Sequence, residues 1–232
     1  HMLRRNVPMV YIIENNGVYG LTKGQFSATA DLDQNSKYYG HNPLPPVDLA
    51  LEAIVGGATF VARSFSGDAK QVQQLLRAAI HHEGTAVLDI ISPCVTFNNH
   101  PDSTKSYPYG KEHEIALHEI AVMSPDYIEE KSEITTEYAE GEIITVEMHD
   151  GTYIRLKKLD RDYDPRNRSQ AIQLLEEANR EELFLTGLLY YEEPRPTLAQ
   201  TENLVDTPLA HLPAEKLRPP QEALEKLMRE LS

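Results

Sequence analysis

Cysteine occurs once in the 232 residues, at Cys94, which excludes an intrachain disulfide framework and fits a reducing compartment such as the cytoplasm. No apolar run approaches the roughly 20 residues that a bilayer-spanning helix needs, so no membrane segment is expected. Positive charge is scarce: 22 Lys and Arg stand against 36 Asp and Glu, a formal net charge of −14. A surface of that sign repels phosphate backbones, so neither nucleic acid nor an anionic membrane is expected as a partner. Walker loops, Gly-x-Ser-x-Gly and Cys-x-x-Cys are all missing. The N-terminal HMLRRNVPMV has only a short apolar stretch with no cleavage site behind it, and reads as the start of a buried strand instead of a signal peptide.

What remains is a chain of ordinary apolar content, 41%, long enough to bury a real core. Val7 to Ile13 (VPMVYII) is nearly continuous in apolar residues, the pattern of a central strand buried on both faces. Glycines at 17, 20 and 24 then punctuate a loop. Asp48 to Val55 predicts a short helix with Asp48 at its N-cap and Gly56-Gly57 at its end. Ala58 to Phe65 is β-rich. Asp68 to His82 repeats apolar residues at helical spacing, through Val72, Leu75, Leu76, Ala79 and Ile80. Thr85 to Ile91 (TAVLDII) is a further buried strand.

Strand, loop, helix, strand, helix, strand is the order of an α/β domain, a parallel sheet flanked by helices. Ligands in such sheets sit beyond the carboxyl ends of the strands. The Asn-rich loop at 15–25 and the Ser-Pro-Cys turn at 92–94 both leave strands at that end. From about residue 110 the composition changes, so residues 1–110 are expected to form the α/β domain and 111–232 an extension. In the extension, segments around His149-Asp150-Gly151 predict a hairpin. Asn167 to Glu182 predicts an amphipathic helix, residues 192–220 a proline-rich arm, and Pro219 to Leu231 a terminal helix.

Asn15-Asn16-Gly17 offers two readings. The plain one is an Asn-Gly turn. The chemical one is a neutral side-chain oxygen presented to a cation such as Mg²⁺, with a carbonyl two residues on and glycines that let the backbone approach a diphosphate. Cys94 is equally open, as a small core residue or a thiolate ligand. His113 and His118 lie five residues apart and do not make a zinc-binding HExxH pair. His81-His82 is a favourable placement at a helix end, and Asp160 to Asp164 a solvated loop.

Longer strings narrow the choice. Glu14 to Thr29, ENNGVYGLTKGQFSAT, preceded by Arg4-Arg5-Asn6 and followed far downstream by Ser-Pro-Cys-Val-Thr-Phe-Asn, resembles the thiamine-diphosphate-binding β subunit of 2-oxoacid:ferredoxin oxidoreductases. That resemblance implies Asn16, through its side chain, and Val18, through its carbonyl, as Mg²⁺ ligands. Tyr19, Leu21 and Thr22 would line the diphosphate, and Lys23 would pair with a substrate carboxylate in the manner of the 2-oxoglutarate or broad-range branch, not the pyruvate branch. Cys94 would be the last ligand of a [4Fe–4S] cluster. The family oxidatively decarboxylates a 2-oxoacid to an acyl-CoA with electrons passing to ferredoxin, and its α subunit is the partner of the β chain. One departure is expected: the Gly-Asp-Gly half of the thiamine motif and three further cluster cysteines would lie upstream of residue 1. The resemblance therefore implies an N-terminally truncated subunit that binds cofactor poorly alone. Two other readings remain open: a thiamine-diphosphate enzyme without a cluster, of the acetolactate-synthase or transketolase kind, and an inactive fragment that keeps only a subunit-binding surface.

Overall fold

Thr85–Ile91 (β7) is buried at every position, so the core is built outward from it. It lies within a computed structural model that describes residues 1–100, 103–123, 143–147, 153–158, 163–181, 183–193 and 195–231. Before it come β1 (Met9–Asn15), two short hairpins, β2 (Val18–Tyr19) with β3 (Gln25–Phe26) and β4 (Asn35–Ser36) with β5 (Gly40–His41), then α1 (Leu49–Gly56), β6 (Phe60–Phe65) and α2 (Ala69–Ile80). After it come α3 (Tyr107–His113), β8 (Glu114–Ala116), β9 (His118–Met123), β10 (Ile143–Glu147), β11 (Tyr153–Lys158), α4 (Arg168–Arg180) and β12 (Phe184–Tyr191).

The main sheet has the order β1-β7-β6-β12-β8. β1, β7 and β6 run parallel, and Asn15 and Phe65 both register with Ile91, so all three end at one rim. Along β6 and β7 the side chains alternate between two cores. Val61 and Val87 face α1 and α4, with Ala53, Ile54, Leu174 and Leu175. Phe60, Ala62, Ala86 and Leu88 face α2, with Leu75, Ala78 and Ala79. Helices on both faces are what a continuously apolar β7 requires.

Asp48 is the N-cap expected of it, and two further caps accompany it. Asp48, Asp68 and Asn167 each accept from the backbone N–H three residues on, at Leu51, Gln71 and Gln170. Gly57, with φ of 93°, closes α1 in the left-handed conformation. In α2 the expected apolar stripe is shifted: Ile80 is 69% exposed and Gln71 is buried instead, bonded to Ser64 and Thr186. Tyr163 departs from the expected solvated loop, since it is buried and its hydroxyl donates to the carbonyl of Leu189. His82 likewise lies inside, its Nε2 2.7 Å from the Thr59 hydroxyl.

Two strands differ from expectation more deeply. β1 is not a central strand buried on both faces. Among the described residues it forms one edge of the sheet, and Met9, Tyr11 and Ile12 are 36%, 44% and 47% exposed. An apolar run specifies a strand, but not how many neighbours it has. β12 enters the sheet antiparallel to β6, with a register shift between Leu188 and Tyr190 next to Gly187 at φ of 120°. The pairings are thus mostly parallel, but β12 and β8, parallel to each other, both run opposite to β1, β7 and β6, and both are drawn from beyond residue 110.

β9, β11 and β10 form a separate antiparallel sheet, and β10 and β11 are the two arms of the expected hairpin. The turn between them, 148–152, lies outside the described residues, as does Asp160. Residues His1–Leu198 make one compact unit, so the compositional change near 110 falls within a packed body. Ala199–Ser232 make a second. There a short turn at Leu209–His211, α6 (Ala214–Leu217) and α7 (Gln221–Glu230) each follow a proline, extended in the case of Pro213 and Pro220; one helical turn, α5 (Leu198–Thr201), precedes them. On α7, Leu224, Leu227 and Met228 are exposed along one face, continued by Leu231.

Candidate active site at the carboxyl rim

The loop after β1 begins with two asparagines that face different tasks. Asn15 is buried, its Nδ2 donating to Asp89 Oδ1 at 3.0 Å while its Oδ1 accepts from the Thr29 hydroxyl at 2.7 Å. A carboxylate can only accept, so the orientation of this amide is fixed by its partners. Asn16 is half-buried, and its Oδ1 accepts from the N–H of Val18 at 3.0 Å. That is the Asx turn of the plain reading, and it leaves the oxygen a second lone pair. The turn and the cation-binding readings therefore coexist in one geometry. Gly17 sits at φ of 72°.

From there β2 and β3 make a small hairpin. Lys23 N–H donates to Gly20 O at 3.0 Å and Gly24 N–H to Tyr19 O at 3.1 Å, with Lys23 and Gly24 both at positive φ. Tyr19, Leu21, Thr22 and Lys23 form the exposed tip, Leu21 being fully exposed. Thr22 is braced by its hydroxyl to Tyr19 O, and its own carbonyl accepts from the Tyr39 hydroxyl at 2.7 Å. Val18 is buried at the base.

β7 leads into the second turn. Ser92 N–H donates to Asn15 O at 2.9 Å, which ties the two strand exits together. The carbonyl of Cys94 accepts from Phe97 N–H and Asn98 N–H, at 3.2 and 2.8 Å, and Cys94 itself is half-buried. Asn98 is fully buried and donates Nδ2 to Asn16 O at 2.8 Å. Phe97 packs against Gly24 at the hairpin. The two segments singled out in the sequence thus meet at one rim. The residue that joins them, Asn98, carried no assignment in the sequence, where it stood only as the last letter of a motif.

Beneath the rim lies a buried ionic row. Arg63 on β6 reaches Asp89 at 2.9 Å and Asp48, the α1 cap, at 2.6 Å. Burial alone would raise the Asp48 carboxyl, but the Arg63 guanidinium and the Leu51 N–H outweigh it and hold Asp48 below the usual carboxylate range. Burial opposes the charge on Arg63 as well, yet its two carboxylates push it above its ordinary value. Asp48, Arg63, Asp89, Asn15 and Thr29 form one continuous chain of contacts from α1 to the rim loop.

Fitting cofactors to these residues gives two different answers. Asn16 Oδ1 and the Val18 carbonyl supply two hard oxygens beside glycines, a partial set for Mg²⁺ that diphosphate oxygens and other groups would complete. A [4Fe–4S] cluster takes thiolates on its irons, and the chain holds one cysteine. Among the described residues no group of three or more His, Cys, Asp or Glu could hold a metal ion. Cys94 can give one ligand, and the residues present do not make a cluster site.

Residues 1–90 match the family "Thiamine pyrophosphate enzyme, C-terminal TPP binding domain". The 2-oxoacid:ferredoxin oxidoreductase subunit β of Sulfolobus sp is 44% identical over 100 residues. Over that stretch the chain is similar to 2-oxoacid:ferredoxin oxidoreductase β subunits. The Sulfolobus alignment covers 41% of this chain and 32% of the relative, so the match spans about a third of the longer protein. The 2-oxoglutarate oxidoreductase subunit KorB of Mycobacterium tuberculosis is 40% identical over 43% of this chain and 27% of its own length. Among solved structures, a 2-oxoglutarate:ferredoxin oxidoreductase from Magnetococcus marinus, with 2-oxoglutarate, coenzyme A and succinyl-CoA bound, superposes with a TM-score of 0.61. It is 28% identical, over 88% of this chain and 53% of that one. The fold of this chain matches the thiamine-diphosphate-binding α/β fold expected from its sequence. Among the described residues no helix is long and apolar enough to cross a membrane.

Proposed function

We propose that this chain serves in the β subunit of a 2-oxoacid:ferredoxin oxidoreductase, acting on 2-oxoglutarate, with an α subunit as its partner. The observation that carries the reading is the register of Asn15 with Ile91, which sends the Asn16 loop and the Cys94 turn off adjacent strands at one rim. Bound thiamine diphosphate would supply the nucleophilic carbon and the electron sink for decarboxylation. The residues of this chain would position it. Asn16 Oδ1 and Val18 O would hold Mg²⁺, and Tyr19, Leu21 and Thr22 would flank the diphosphate. Lys23, on an exposed and braced tip, would draw in the carboxylate of the 2-oxoacid. Cys94 would give one thiolate if a [4Fe–4S] cluster were bound, a group for which the residues present do not by themselves make a site. Ferredoxin would be the electron acceptor. Coenzyme A would accept the acyl group. The exposed apolar face of α7 would lie against the α subunit.

Calorimetry on the chain co-purified with its α subunit tests this reading. Thiamine diphosphate should give heat only when Mg²⁺ is present, and 2-oxoglutarate with coenzyme A should then reduce ferredoxin. A complex that assembles without such heat is a subunit-binding module only. Binding without iron, or without coenzyme A dependence, favours a thiamine-diphosphate enzyme of another kind. Removal of residues 193–232 should weaken association with the α subunit, and unchanged association would exclude a docking role for that arm.

A further inference from the structure

The contacts around Asn98 form a one-way chain of amides. Gln34 Oε1 accepts from the N–H of Asp31 at 3.1 Å, which leaves Gln34 Nε2 to donate to Asn98 Oδ1 at 3.0 Å. Asn98 must then offer Nδ2, and it does so to the carbonyl of Asn16 at 2.8 Å. Each orientation is dictated by the partner before it, because a carbonyl cannot donate and an N–H cannot accept. Gln34 and Asn98 are 7% and 0% exposed, so water does not compete for these bonds. At its backbone Asn98 also holds Cys94 O. A Cβ on Gly17 would come within 2.9 Å of Asn98 Nδ2, so the loop and this amide are in contact on two sides. The far end of the chain is anchored too: Asp31 takes Thr104 N–H at 2.9 Å and Lys105 Nζ at 2.7 Å.

We propose that Asn98 is a positioning residue that sets the Asn16–Val18 segment for cation binding, with Gln34 orienting it. The inference rests on reading that segment as the Mg²⁺–diphosphate loop, and extends it to two side chains that would touch neither ion nor cofactor. Asn16 turns its side chain to the cation only while its own carbonyl is held from the other side. Released, the peptide between Asn16 and Gly17 can rotate, and both proposed ligand oxygens, two residues apart, lose their common direction. The Mg²⁺ requirement of the loop is therefore governed from the Cys94 turn.

The test uses the full chain with its α subunit and titrates Mg²⁺ at saturating thiamine diphosphate, alongside the melting temperature without either ligand. Asn98→Leu removes the donor at similar volume and should raise the half-saturating Mg²⁺ about tenfold. Gln34→Met leaves Asn98 in place but unoriented and should raise it about threefold. If Asn98→Leu does not accumulate, Gln34→Met decides alone. A lower melting temperature with an unaltered Mg²⁺ requirement makes these residues merely structural and overturns the proposal. A wild-type complex without Mg²⁺-dependent binding defeats the reading of the loop itself, and the inference falls with it.

Discussion

Asn15 and Asp89 face each other across β1 and β7, amide nitrogen to carboxylate oxygen at 3.0 Å, on the last turns of strand before the rim. That contact joins the neutral amides of the loop to the charged row below. Asp89 is shared, since its other oxygen meets Arg63. Arg63→Met should leave two buried carboxylates without their cation, a loss of about 3–5 kcal/mol. Urea unfolding of the chain measures it. A change below about 1 kcal/mol would place the row in solvent and contradict its burial.

Thr29 closes the other side of Asn15. Thr29→Val keeps the shape and removes the hydroxyl, which orphans a buried carbonyl oxygen at a cost of about 1–3 kcal/mol. Thr29→Ser restores the donor and should recover most of that stability in the same unfolding experiment. Equal losses from both variants would trace the effect to packing by the methyl group instead.

His118 gives the stability of the chain a pH dependence. Burial lowers its pKa from 6.5 to about 4, and its Nε2 accepts the N–H of Leu188 at 2.9 Å, a bond that requires the neutral ring. The unfolded chain takes up this proton below its ordinary pKa and the folded chain does not. Stability should be full above pH 6.5 and fall progressively as the pH drops toward 4. His118→Gln, lacking that titration, should flatten the melting temperature over this window, and an unchanged slope would assign it to carboxylates.

Gly17 carries two constraints that reinforce one another. Its φ is 72°, and a Cβ there would press on Asn98 Nδ2. Gly17→Ala should cost about 1–3 kcal/mol from the backbone conformation alone and should also weaken cation binding at the loop. Gly20→Ala is the control, since a Cβ at that position meets nothing within 4 Å.

Much of this was legible in the residues, and the exceptions share a cause. The Asp48 cap, the helices beginning near Asp68 and Asn167 and the buried run of β7 are local patterns, and each took the place its pattern specified. The convergence of the two rim segments followed from strand order alone. What stayed hidden depends on pairing between distant segments. Gln34 lies 64 residues from Asn98, and nothing periodic marks either amide. β12 runs opposite to β6, with which it pairs across more than a hundred residues of sequence, and the close approach of Gly187 to His118 exists only once both strands are in place. Asp89 reads as one polar letter in an apolar run until Arg63 and Asn15 are brought to it.

The bare flank of β1 has a consequence for handling the molecule. Among the described residues its ladder is satisfied toward β7 alone, while Tyr11 and Ile12 meet solvent. A row of unmatched peptide groups beside greasy side chains is a template on which other extended segments can zip. Samples should therefore lose monomer as they are concentrated, and a lysine at Ile12 should delay that loss in light scattering without altering the melting temperature of the remainder.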